Sequence, residues 1–172
     1  MPLTSLRALR RFAALVALVA LGGLSTSANA LCIGVCTCNA SVTNVLFSNY
    51  DPLSSGNIDS TGTVKVTCGG LVGLLIPATL SLSIGSGTTY STRTMTAGSD
   101  KLSYNLYSSS SYTTVVGDGT GSSSTLSGGV AIDVAGIVTP QVWTLYGRIP
   151  GGQRTAVPGA YSDTLVVTVS YQ

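Results

Sequence analysis

The chain of 172 residues has no histidine and, read along its length, no glutamate; only 8% of its side chains are charged. Without histidine there is no Ser-His-Asp triad and no imidazole-ligated metal site. Without glutamate, one of the usual general acids is missing as well. Helical periodicity is also scarce: no long segment keeps apolar residues at i, i+3, i+4 and i+7. Basic surface is short too. Lys and Arg number 8 against 6 Asp, but Arg7, Arg10 and Arg11 fall in the first eleven residues. Beyond residue 30 only Lys65, Arg93, Lys101, Arg148 and Arg154 face the six aspartates, so no basic stripe remains. Nucleic acid is thereby excluded as an expected partner.

The early arginines belong to a leader. They precede the 13-residue apolar run Phe12 to Leu24, and Ala28 and Ala30 stand at −3 and −1 of a cut after Ala30. A positive start, an apolar middle and a small-residue cleavage site predict a secretory signal peptide over residues 1–30. The run is too short for a transmembrane anchor, which needs about 18 apolar residues. Leu31 is too bulky for a lipid-attachment box at Cys32. The expected mature domain is residues 31–172, exported and water-soluble. The apolar stretch from Leu71 to Leu80 is broken by Pro77 and reads as buried strand or loop.

Export also bears on the four cysteines, Cys32, Cys36, Cys38 and Cys68. An even number in an oxidising compartment predicts disulfides. Cys68 ends one strand pattern and Cys38 starts another, which favours Cys38–Cys68 with Cys32–Cys36 as a small local ring. Zinc ribbons use two C-x₂-C knuckles; the spacing here, C-x₃-C-x-C plus one distant cysteine, does not match.

Period-two alternation recurs along the chain. Val64, Val66 and Cys68 alternate with Lys65 and Thr67; Leu80, Leu82 and Ile84 with Ser81 and Ser83. Leu102, Tyr104 and Leu106, then Trp143 and Leu145, repeat the pattern. The last segment is the most regular, with Leu165, Val167, Val169 and Tyr171 set against Val166, Thr168 and Ser170. Turn clusters separate these runs, among them 54–57, 85–87, 117–122, Ser127-Gly-Gly129 and 150–152. Ser108–Ser111 and Ser122–Ser124 read as mobile loop tips. Short half-buried strands at this spacing predict an all-β fold, an antiparallel β-sandwich. The most regular strand lies at the end of the sequence, and few charged residues guard the sheet edges. Unguarded edges invite pairing with another chain.

Several ordered motifs carry a resemblance: Phe47-Ser-Asn-Tyr-Asp-Pro52, Thr61-Gly-Thr-Val-Lys-Val-Thr-Cys68, Arg93-Thr-Met95, Leu102-Ser-Tyr-Asn-Leu-Tyr107, Gly117-Asp-Gly-Thr-Gly121, Tyr146-Gly-Arg-Ile-Pro-Gly-Gly-Gln153, and the stretch from Gly159 to Tyr171. Over essentially all of residues 31–172 the chain resembles the spore coat protein U domain family, which includes subunits of Csu-type archaic chaperone–usher pili. The resemblance implies an immunoglobulin-like sandwich lacking its final strand. It also implies a periplasmic pilus chaperone, an outer-membrane usher and neighbouring pilin subunits as partners, with a surface fibre or coat serving attachment and biofilm formation. No cofactor or metal is implied. On this reading Leu165, Val167, Val169 and Tyr171 form the strand bordering an acceptor groove. Leu31, Ile33 and Val35 alternate with Cys32, Gly34 and Cys36 and could serve as a short donor segment, or as the first half of a native strand. A secreted carbohydrate- or surface-binding adhesin module is the alternative, and an enzyme is not expected.

Other candidate chemistry is sparse. Asp118 in Gly-Asp-Gly-Thr-Gly offers one carboxylate where calcium loops need several, so a turn is expected. Asp163 is expected to cap its own backbone, and Arg148 to pair with an aspartate such as Asp51 or Asp163. Tyr104, Trp143 and Tyr171 fall in strand patterns, so they are expected in the core rather than on a sugar-binding platform.

Overall fold

The computed structural model describes residues 37–69, 74–132 and 138–171. The leader, the proposed Leu31, Ile33 and Val35 donor, and the Cys32–Cys36 ring lie outside these residues. Within them the strands are β1 (Thr37–Thr43), β2 (Ile58–Gly69), β3 (Leu74–Leu82), β4 (Thr94–Ala97), β5 (Asp100–Ser103), β6 (Asn105–Tyr107), β7 (Leu126–Ile132), β8 (Val138–Thr139), β9 (Gln141–Ile149) and β10 (Val167–Tyr171). No helix occurs among the described residues. One four-stranded sheet has the order β1-β2-β9-β6 and the other β10-β3-β7-β8, with β4 and β5 forming a separate hairpin. Every ladder between named strands is antiparallel. The expected all-β sandwich is what forms.

Alternation explains the layers. Val64, Val66 and Cys68 of β2, and Trp143, Leu145 and Ile149 of β9, are buried on the inner face of the first sheet. Ile76, Ala78, Leu80 and Leu82 of β3 and Val130 of β7 answer from the second. Burying one such large side chain contributes roughly 1.5–3 kcal/mol. The disulfide joins Cys38 to Cys68, directly opposite each other on β1 and β2.

Pro77 lies inside β3, a central strand, where a missing N–H would ordinarily be costly. The ladder register shows why it is accommodated. Ser83 N–H donates to Val166 O at 3.0 Å, so the hydrogen-bonded pairs between β3 and β10 are 83/166, 81/168 and 79/170. By the same alternation the Pro77 nitrogen faces the β10 side, one residue past the last described pair, Tyr171 opposite Ala78. No ladder bond to a described residue is lost there.

Two local expectations are corrected. Ser127-Gly-Gly129 is not a turn but the middle of β7. The Gln141 side chain lies over Gly128, where a Cβ would collide with it, and Gln141 Oε1 accepts a hydrogen bond from Gly129 N–H at 2.9 Å. Gly128 makes room for a side chain from β9, which no local signal reveals. The serine clusters are hydrogen-bonded turns instead of loose tips. Tyr112 N–H donates to Ser109 O at 3.1 Å, and Ser108 N–H to Thr114 O at 3.0 Å. Ser123 is buried, its Oγ donating to Thr120 O at 2.7 Å.

Candidate acceptor groove

The two sheets each end in an edge strand on the same side of the sandwich, β1 in one and β10 in the other. Directly opposite residues of an antiparallel pair point to the same face. Cys38, Ala40 and Val42 of β1 therefore point inward with their partners Cys68, Val66 and Val64. The partners are buried, whereas Ala40 is exposed and Val42 is 52% exposed. On the other bank Val167 and Val169 point inward beside Leu82 and Leu80 but are only half-buried. Tyr171, expected in the core, is 44% exposed. It faces inward like Ala78, but nothing among the described residues covers it on its outer side. Tyr104 and Trp143 are buried as expected.

Between the banks runs an apolar groove. Its wide part, about 960 Å³, is floored by core residues including Leu82, Leu106, Leu145 and Ile149 and reaches Leu165 and Val167. Its narrow part, about 260 Å³, lies between Cys38, Ala40 and Val66 on one side and Val167, Val169 and Tyr171 on the other. Leu165, Val167, Val169 and Tyr171 all border this groove. The backbone makes the same statement. Since 166, 168 and 170 bond toward β3, the N–H and C=O groups of Val167, Val169 and Tyr171 point away from it. Among the described residues no strand pairs with that outer edge. Among the described residues each of these therefore presents an inward side chain and a backbone donor and acceptor with no strand partner. An extended segment from elsewhere satisfies both needs at once.

Past β1 the chain crosses from the sheet edge over the inner faces of β2 and β9. Val45 and Phe47 pack where Gly62 and Gly147 carry no side chain, and Phe47 meets the Tyr104 ring edge-on at 6.2 Å between centroids. Ser60 Oγ anchors this stretch by donating to Leu46 O at 2.6 Å. The segment forms one wall of the wide part.

Polar groups hold the entry to β10. Asp163 does bond its own backbone, accepting from Thr164 N–H at 2.9 Å, but it also accepts from Ser86 N–H and Oγ, and from Tyr104 Oη at 2.7 Å. Burial, and then the Asp163 bond, push the Tyr104 phenol well above its usual range. Arg93, for which the sequence offered no role, is completely buried. Its Nη1 donates to Asn105 Oδ1 at 3.1 Å and Val116 O at 2.8 Å, and its Nη2 to Ser83 O at 2.9 Å. Burial pulls its pKa downward.

The remaining candidates are elsewhere. Asp118 forms the expected turn, accepting from Thr120 N–H at 2.8 Å and Thr120 Oγ1 at 2.6 Å. Arg148 pairs with neither Asp51 nor Asp163. It forms a two-pronged bond with Asp59, Nε–Oδ1 and Nη2–Oδ2 both 2.7 Å, because Asp59 and Arg148 are directly opposite on β2 and β9. The Arg148 bond holds the Asp59 carboxyl below its usual range. Among the described residues no three His, Cys, Asp or Glu side chains gather as metal ligands.

Comparison with known proteins bears on this geometry. A family model described as the Spore Coat Protein U domain matches residues 24–168. Among solved structures, the chain is similar to a chain in the crystal structure of the CsuC-CsuE chaperone–tip adhesion subunit pre-assembly complex from archaic chaperone–usher Csu pili of Acinetobacter baumannii. The identity is 19% and the TM-score 0.53, over 78% of this chain and 40% of that one. The present chain thus spans well under half of that chain's length. No curated protein matches the sequence.

Proposed function

The chain belongs to the spore coat protein U domain family, and from that membership we propose that it is a non-enzymatic structural subunit of a secreted surface fibre or coat, assembled by accepting a strand from another chain. Residues 1–30 are its export signal and residues 31–172 its single domain. A periplasmic chaperone first fills the groove, an outer-membrane usher exports the subunit, and a neighbouring subunit then takes the chaperone's place at the cell surface. The fibre or coat serves attachment and biofilm formation. One observation carries this reading: the incompletely buried inner face of β10 along the groove and its outer edge, which no strand pairs among the described residues. Hydrogen bonds to the edge supply affinity, and alternate side chains entering the groove supply specificity. Subunits that both accept and donate strands make head-to-tail contacts, which propagate into open filaments.

Co-expression with and without a periplasmic pilus chaperone of this family tests the proposal. Soluble subunit recovered as a one-to-one complex, with Val169→Asp abolishing that complex, is the expected result. A soluble monomer indifferent to the chaperone would refute it.

A second reading, an adhesin subunit, draws on the outer face of the first sheet. There Tyr107 and Tyr112 meet edge-on at 5.4 Å, and the Arg148 guanidinium stacks 3.5 Å over the Tyr112 ring. Glycan binding by the wild type that Tyr112→Ala removes would favour it.

A further inference from the structure

We propose that Arg93 is a positioning residue for strand acceptance: acting through Ser83, its guanidinium fixes the start of β10 so that the empty groove keeps its register. The inference rests on the acceptor-groove reading above. Its basis is a buried cation without a matching anion. Arg93 has no exposed surface, and among the described residues no carboxylate lies in salt-bridge range of it, the one ion pair there being Arg148–Asp59. Burying an unpaired charge is costly, and an apolar side chain of similar size is often the more stable choice. The guanidinium is instead spent on two main-chain carbonyls and one side-chain amide, with Nε left unpartnered and the Tyr90 ring 5.1 Å away.

One of these acceptors, Ser83, links directly to the groove. Ser83 follows directly on β3 and is the rung that holds Val166: its N–H donates to Val166 O at 3.0 Å, and its Oγ accepts from Val166 N–H at 2.9 Å. Arg93 Nη2 grips the carbonyl of that same residue. Main-chain groups supply a second tie. Arg93 O accepts from Tyr104 N–H at 3.0 Å, and Tyr104 Oη reaches Asp163, three residues before Val166. Among the described residues β10 has one neighbouring strand, and it is five residues long, so its position depends on how its entry is held. Val116 O and Asn105 Oδ1 join the same guanidinium to the opposite part of the fold: Val116 N–H donates to Leu106 O of β6. Arg93 therefore ties the free edge strand to the rigid body of the sandwich.

The test compares wild type, Arg93→Met and Arg93→Lys, each with an empty groove and with the groove filled in cis by an alternating Val-Thr strand fused after Gln172 through a Gly-Ser linker. The probe for the empty form is the same Val-Thr strand as a free peptide. Losing a charge-assisted bond at the β10 entry should weaken peptide binding roughly ten- to hundredfold in Arg93→Met, with Arg93→Lys in between. Fast hydrogen exchange at the Ser83 and Val166 amides should accompany it. The filled Arg93→Met protein should melt close to the filled wild type, because the added strand now holds β10 from its other side. Equal loss of stability in empty and filled forms, with peptide affinity unchanged in the folded fraction, would overturn the positioning role. Wild type that neither binds the peptide nor gains stability from the fused strand would overturn the groove reading beneath it. Should empty Arg93→Met not fold, Ser83→Ala, which removes only the Oγ bond to Val166, must still weaken the peptide, and failure to do so counts against the role.

Discussion

Val169 stands directly opposite Leu80 in the ladder between β10 and β3, both side chains pointing inward, yet Leu80 is wholly buried and Val169 only half so. The same contrast holds across the groove between Ala40 and Val66. Among the described residues, both strands are covered on one side only.

Faces of β10 can be separated by mutation. Val167→Asp or Val169→Asp puts a charge in the groove and should abolish capture of a partner strand. Val166→Asp, on the outward face at 64% exposure, should leave capture within about twofold, since surface substitutions typically cost under ~0.5 kcal/mol. Pull-down with the proposed chaperone reads both.

The Cys38–Cys68 bridge closes a separation of 30 residues. Cys38→Ser together with Cys68→Ser should cost about 3–4 kcal/mol on the chain-entropy account. Denaturant unfolding of the double variant against the oxidised wild type measures it. The bridge also fixes β1, one bank of the narrow part of the groove.

Gly147 is required by shape. A Cβ there would lie 2.6 Å from Val45 Cγ1 and 2.7 Å from Phe47 Cζ. Gly147→Ala should destabilise by about 1–3 kcal/mol through overpacking. Combining it with Phe47→Leu should recover part of that loss, read as the thermal midpoint of the double variant against each single one.

Two titrations bound the pH range. Arg148 lowers the folded-state pKa of Asp59 below 3.8. The stability this gives is present above pH about 4 and fades as pH falls through the lower folded value. Both groups are partly exposed, so Asp59→Asn should cost only ~0.5 kcal/mol at neutral pH and flatten the acid limb. Tyr104 shifts the other way. Its raised pKa means its contribution is intact below pH about 10 and is lost as pH climbs beyond. Tyr104→Phe should remove part of the alkaline unfolding slope, followed by ultraviolet absorbance of tyrosinate.

Sequence periodicity was enough to find the layers, because Val64, Val66, Leu80, Leu82, Trp143 and Leu145 are buried by the alternation of their own strands. The Cys38–Cys68 pairing was legible for the same reason, both cysteines lying at inward positions of adjacent strand patterns. What depended on register across distance was not. Asp59 and Arg148 are 89 residues apart and meet only because β2 and β9 align. Gly128 makes room for Gln141 from another strand, so its turn-like composition misled. Arg93 sits among threonines with no periodic signal, and its role arises from three acceptors on separate segments. The regular pattern of Leu165, Val167, Val169 and Tyr171 announced a strand, which forms over Val167–Tyr171 and leaves Leu165 just before it. That no described residue covers its outer edge or the inner face of β1 could be seen only once both sheets were placed.

Amide hydrogen exchange on the isolated chain, before and after a partner strand is added, tests the central claim most directly. The account predicts that Val167, Val169 and Tyr171 amides exchange quickly in the isolated chain while those of Thr168 and Ser170, bonded to β3, are protected, and that the first set becomes protected when the strand binds. Protection of all five amides in an isolated monomer would mean that β10 already has a neighbour on both sides, and the acceptor groove would not exist.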